Sequence, residues 1–270
     1  MRLFKFIAAI IAGLLALGWL GLRVKPKPFP PYLQPSRQPE SMPLPAGLPA
    51  PVERCYRQLY GDRIPVIESA VLSGRATLRL GGLTFPGRFR FVHQAGQGYR
   101  HYIEATLFGR PLMRVNEHYL DGVSRMALPF GVIENDPRVN QGANLALWGE
   151  AMWFPALFLS DPRARWSPLL AHSARLHVPF EGGEEVLTVW FDPDTGLPRM
   201  MEAMRYKGAG SAAKTPWRTE LSHWTTLGGQ PLFGTGAVTW LDEGTPWARF
   251  VVEEAVFNAD VSEYVRSGGL

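Results

Sequence analysis

The spacing of apolar residues changes along the chain, and each change marks an element. Ile7 to Leu22 is an unbroken run of 16 apolar or glycine residues. Leu3, Phe4 and Phe6 extend it to about 20 if Lys5 snorkels, which suffices for one membrane span. From Pro26 to Pro51 the pattern is lost, with ten prolines in 26 residues. Such a segment favours extended polyproline II and would reach up to about 80 Å as a stand-off between membrane and body. "APVERCYRQLYGD" then places Val52, Cys55, Tyr56 and Leu59 on one face of a short helix closed by Gly61.

Beyond Gly61 the period becomes two. "SGRATLRLGG" sets Ala76, Leu78 and Leu80 against Arg75, Thr77 and Arg79, the latter on a wet face. "FRFVHQ", "GYRHYIEATLFG" and "PLMRVNEHYLDG" follow, then "ARLHVPF", "EEVLTVWFD", "LPRMMEAMRYK", "WRTELSHWTTL", "GAVTWLD" and "WARFVVEEAVF". Glycine- and proline-bearing breaks between them read as hairpin turns. The pattern predicts about ten or eleven strands, interrupted once by a helical segment around Ala143 to Leu159. No strand–helix alternation is present, which argues against a parallel nucleotide-binding sheet. The expected fold class is mainly β (α+β): a large curled antiparallel sheet or half-barrel, one or two covering helices, and an N-terminal transmembrane helix. The expected boundaries are an anchor or signal segment over 1–25, a Pro-rich linker over 26–48, and a single antiparallel β domain over 49–270.

Charge changes the picture little. The net charge of +4 comes from Arg2, Lys5, Arg23, Lys25 and Lys27, beyond which 23 basic residues face 24 acidic ones. A neutral body argues against a nucleic-acid partner. Cys55, the single cysteine, has no partner for a disulfide or a zinc site. The apolar run predicts an uncleaved single-pass anchor with the body outside the cytoplasm; a cleaved signal peptide is the alternative, since Ala16 and Gly18 form a small-x-small pattern.

Hydrolase elbows, Walker loops and dinucleotide fingerprints are absent. His93 and His101 fall on successive strands and are expected as exposed strand residues that meet only by accident of register. No metal ligand, catalytic residue or cofactor is assigned. Asp121, before Gly122, reads as a turn former.

"LWGEAMWFPALFLSD" sets one carboxylate, Glu150, in apolar surroundings. Buried there it needs a partner or loses its charge. It can pair with an arginine or cap a backbone, line an apolar cavity and orient a ligand's polar head, or serve as an acid or base. Trp148, Trp153, Phe154 and Trp217 are the candidate walls of such a cavity.

"LWGEAMWFPALFLSD", "RWSPL", "VWFDPDTGLPRMM", "TPWRTELSHWTTLGGQPLFGTGAVTW" and "ARFVVEEAVF" together resemble a bacterial family of unknown function with an N-terminal hydrophobic segment. Glu150, Ala151, Trp153, Phe154 and Pro155 match its E-A-x-W-F-P pattern, Pro216 and Trp217 its proline–tryptophan pair, and the likeness covers roughly residues 48 to 258. The order of elements also looks like the lipoprotein-carrier fold, a curled antiparallel sheet with helices over an apolar hollow. The resulting expectation is a membrane-tethered binding protein for a lipid or other hydrophobic molecule. The alternatives are an enzyme acting on an envelope lipid or glycan through Glu150 and an aspartate such as Asp121, and a scaffold that meets an unidentified protein partner through the proline segment or a strand edge.

Overall fold

A computed structural model describes residues 2–268; Met1, Gly269 and Leu270, the outermost residues of the expected anchor and β domain, lie outside the described residues. In chain order the elements are α1 (Arg2–Gly21), β1 (Ser41–Pro43), α2 (Ala50–Tyr60), β2 (Arg63–Pro65), β3 (Ser69–Leu80), β4 (Leu83–Gln94), β5 (Gly98–Leu107), β6 (Arg110–Leu120), β7 (Val123–Leu128) and β8 (Gly131–Glu134). They continue as α3 (Pro137–Glu150), a 3-10 turn (Ala151–Trp153), α4 (Leu157–Ser160), β9 (Arg165–Leu170), β10 (Ser173–Phe180), β11 (Gly183–Phe191), β12 (Pro198–Arg205), β13 (Thr215–Leu227), β14 (Gln230–Trp240), β15 (Ala248–Phe257) and α5 (Ser262–Ser267).

Among the described residues, thirteen strands form one antiparallel sheet in the order β8-β7-β6-β5-β4-β3-β15-β14-β13-β12-β11-β10-β9. One meander runs from β3 to β8, a second from β9 back to β15, and β3 and β15 join them at the centre through pairs such as Ala248↔Leu78 and Phe250↔Ala76. The link between the meanders, α3 to α4, lies on the inner face. That face curls around it, because α3 contacts β6 and β7 near one edge and β10 and β12 near the other. Seven strand steps at about 4.8 Å would hold β6 and β12 about 34 Å apart in a flat sheet, three times the width of a helix.

The strand count exceeds the expected ten or eleven. β1 and β2 are three-residue pieces, β7 and β8 form a short edge hairpin, and β9 carries Pro168, which argues against a strand except at an edge, where β9 lies. The helix begins earlier than expected, at Pro137, where Asp136 accepts hydrogen bonds from the backbone N–H groups of Arg138 and Val139. The Asp-Pro pair supplies both N-cap and first helical residue.

The core fills the hollow: Phe89, Phe91 and Phe250 from the sheet, Leu145, Leu147 and Phe158 from the covering segment, and Val52, Cys55 and Tyr56 from α2. The Tyr56 hydroxyl donates to the Pro155 carbonyl at 2.6 Å. Cys55 is buried, and burial pushes its thiol up.

The proline-rich segment does not stand off from the body. Arg88 donates to the Lys27 carbonyl at 3.1 Å and lies over Phe29, Arg90 donates to the Pro30 carbonyl, the Tyr32 backbone N–H donates to Glu254, and Ser36 donates to the Phe257 carbonyl. Met42 pairs with Ile64. With α5, this strap covers the outer face over β3, β4, β5 and β15, where Val71, Val92, Val261 and Val265 form a second small core. Arg90, on the outward-facing phase of β4, is therefore buried.

Candidate functional site

Two strand phases and one helix end converge in the hollow. In the β4–β5 hairpin His93 pairs with Tyr99 and Phe91 with His101, so the two histidines are diagonal neighbours on the inward face. Both belong to the apolar phase of their strands, with Phe89 and Phe91 on β4 and Ile103 and Ala105 on β5. The expectation that they are exposed and meet only by accident is corrected: His93 and His101 are buried and their ring centroids lie 5.4 Å apart. Parity is the cause, since the three-residue turn leaves 93 and 101 on the same side of the hairpin as the phenylalanines. The His101 ring is held between Tyr99, stacked at 3.8 Å, and Phe91 at 4.1 Å, while Phe154 meets His93 edge-on.

Glu150 is the last residue of α3, delivered to the same point. Its Oε2 lies 3.1 Å from His93 Nε2 and 2.7 Å from His101 Nε2. The partner of this carboxylate is thus a histidine pair, neither an arginine nor a backbone cap. Burial pushes the Glu150 carboxyl up, but the two imidazoles outweigh burial and hold it down at about 2, so it is ionised. Burial lowers His93. The three side chains offer one ligand atom each within 4.8 Å of one another.

Beside this cluster opens an apolar cavity. It measures about 80 Å3 over the positions a water centre can take, and about 680 Å3 of space between atoms with its mouth included. Its walls include Phe91, Ile103, Trp153, Trp217, Trp247 and Phe250, and its polar lining is His101, Glu117, Glu150, Arg205 and Thr219. Two glycines admit the indoles. A Cβ on Gly149 would stand 2.9 Å from Trp217, and one on Gly236 would stand 3.0 Å from Trp153. The Arg205 guanidinium lies 4.9 Å from the Trp217 ring centroid, and Tyr99 donates to Glu117. The indole N–H groups of Trp153, Trp217 and Trp247, the Thr219 hydroxyl and Arg205 Nε are buried with no hydrogen-bond partner among the described residues.

Of the residues singled out by sequence, the structure brings Glu150, Trp153 and Trp217 to the cavity. Trp148 is buried on another side of the helix, 5.8 Å from the Arg163 guanidinium, and Phe154 packs on His93 outside the cavity lining. Asp121 is in the β6–β7 turn with φ 51°, exposed beside Arg266, and is not among the lining residues, so it does not pair with Glu150. Sequence reasoning passed over His93, His101, Glu117 and Arg205.

Residues 38–250 match the model of a family of unknown function (DUF6544), and the chain belongs to that family. No curated protein matches it. Among solved structures it is similar to a LolA-superfamily protein from Nitrosomonas europaea, at 9% identity over 82% of this chain and 99% of that one, with a TM-score of 0.51. It is also similar to a DUF1329 family protein from Desulfovibrio piger, at 11% identity over 75% and 91%, with a TM-score of 0.45. The first likeness establishes the fold, a LolA-like curled antiparallel sheet, as the element order suggested.

Proposed function

We propose that this member of the family is a membrane-tethered binding protein whose cavity holds an apolar molecule bearing hydrogen-bond acceptors. One observation carries the reading: aromatic walls combined with five buried donors that lack partners among the described residues, on Trp153, Trp217, Trp247, Thr219 and Arg205. A buried donor left unpaired costs about 1–3 kcal/mol, so a ligand that supplies carbonyl, carboxylate or hydroxyl oxygens recovers free energy while its apolar part covers the rings. The small volume of the cavity favours one acyl chain or a flat ring over a whole two-chain lipid. Helix α1, whose segment Phe4–Gly21 is long and apolar enough to cross a membrane, supports the tether, with the body on the extracytoplasmic side.

The test is energy transfer from tryptophan to a dansyl-labelled fatty acid bound by the full chain in lipid nanodiscs. Saturable transfer that unlabelled fatty acid displaces, and that the cavity-filling pair Ala146→Phe and Ala237→Phe removes, supports the reading. Transfer of equal strength in the wild-type and filled proteins means that the probe has merely entered the lipid, and the reading fails.

A further inference from the structure

The His93–His101–Glu150 cluster is built like a ligand set. Three buried polar atoms without a hydrogen-bond partner among the described residues meet at this one point: Nε2 of His93, Nε2 of His101 and Oε2 of Glu150. The two nitrogen–oxygen separations of 3.1 and 2.7 Å are short enough for hydrogen bonds, yet neither ring N–H points at the oxygen well enough to make one. Native interiors leave few polar atoms unpaired, and several orphans converging on one point mark the place of a missing partner. Nitrogen and oxygen atoms already 3.1 and 2.7 Å apart leave no room for a water between them.

We infer that His93, His101 and Glu150 bind a divalent transition-metal ion of the zinc class. Two imidazole nitrogens and one carboxylate oxygen are a donor set that zinc accepts, and no thiolate is near enough to favour a softer ion. With bonds of about 2.1 Å, neighbouring donors of such an ion stand roughly 3.0–3.4 Å apart, so the two nitrogen–oxygen separations of 3.1 and 2.7 Å need change by only a few tenths of an ångström. The rings are already positioned, His101 between Tyr99 and Phe91 and His93 against Phe154. His101 and Glu150 also line the cavity, so the ion's remaining positions face the space where a water or an anionic group can enter. The site is independent of the ligand reading, since it rests on the cluster alone.

The experiment uses the full chain, purified in detergent without a polyhistidine tag, stripped with chelator and titrated with cobalt as a spectroscopic substitute for zinc. Visible d–d absorption saturating at one ion per chain is expected, with loss of that absorption in Glu150→Gln and in His101→Ala. Should those variants fail to fold, X-ray absorption at the zinc edge of the wild type decides instead, and two imidazoles in the first coordination sphere support the site. Absence of cobalt absorption in the wild type overturns it, as does absorption unchanged by both substitutions, or a zinc environment of water or carboxylate alone.

Discussion

Replacing Trp153 by alanine separates a real cavity from a filled core. A buried tryptophan packed on all sides costs about 3–5 kcal/mol when truncated. Trp153 should cost less, for two reasons. One edge of its ring already faces the cavity, so dispersion contacts are missing there before the mutation. Its indole N–H is also buried without a partner, so removing it returns about 1–2 kcal/mol of desolvation. The net loss is about 2–3 kcal/mol, or roughly 4–12 °C in Tm for a body of this size. Trp148, equally buried but outside the cavity lining, lacks both discounts, and Trp148→Ala should cost about 4 kcal/mol. Thermal unfolding of the two full-length variants, followed by circular dichroism, gives the comparison. The enlarged cavity of Trp153→Ala should also accept a bulkier probe than the wild type does. If Trp153→Ala is as destabilising as Trp148→Ala, the space beside it is closed in solution and the case for a binding cavity is lost.

Arg90 donates to Ser73 and to the Pro30 carbonyl beneath the strap; Arg90→Ala should raise protease cleavage within residues 26–40 several-fold while costing the body only about 1–2 kcal/mol, and unchanged resistance would show that Arg90 does not hold the segment. Burial pushes Tyr119, with Glu181 nearby, and Tyr264 up to about 12 from 10.0, so each holds its proton more tightly in the fold than in the unfolded chain. Their stabilisation is complete below pH 10.0 and is lost as the pH rises through about 12. Phenolate absorbance should accordingly show a late fraction that appears with unfolding; a single early titration of all tyrosines in the intact fold would contradict it.

Much of this architecture is legible in local pattern. Period-two runs with glycine turns placed most strands, because each strand of a one-sided sheet alternates between core and surface. Where both faces are covered the alternation fails as a guide: Arg90 and Arg100 occupy the outward phase of β4 and β5 yet are buried, under the strap and under α5. Nothing within either strand announces that cover. The proline-rich segment was readable as extended chain but not as docked chain, since its contacts with β4 and β15 come from residues far away in sequence. At the site, Glu150 was conspicuous as a lone carboxylate among apolar neighbours. The histidines were missed although parity alone sets them inward, each sharing its phase with phenylalanine or isoleucine. Arg205 carried no signal, being one polar residue near the end of a strand, and only the curl that brings β12 towards α3 gives it a role.

The Phe108 N–H donates to the Gly21 carbonyl at 2.9 Å, and Leu22 packs against the core, so α1 is joined to the β5–β6 turn rather than hung on a leash. Antiparallel order puts the β3–β4, β5–β6 and β7–β8 turns at one end of the strands, which also carries exposed Leu83, Phe108 and Phe130. If α1 lies in a bilayer, as proposed, this joint transmits the orientation of the helix to the sheet, and the body keeps the same end towards the lipid instead of sampling a hemisphere. Encounters with molecules dissolved in the membrane then become a search in two dimensions, governed by their surface density rather than by their concentration in the surrounding water.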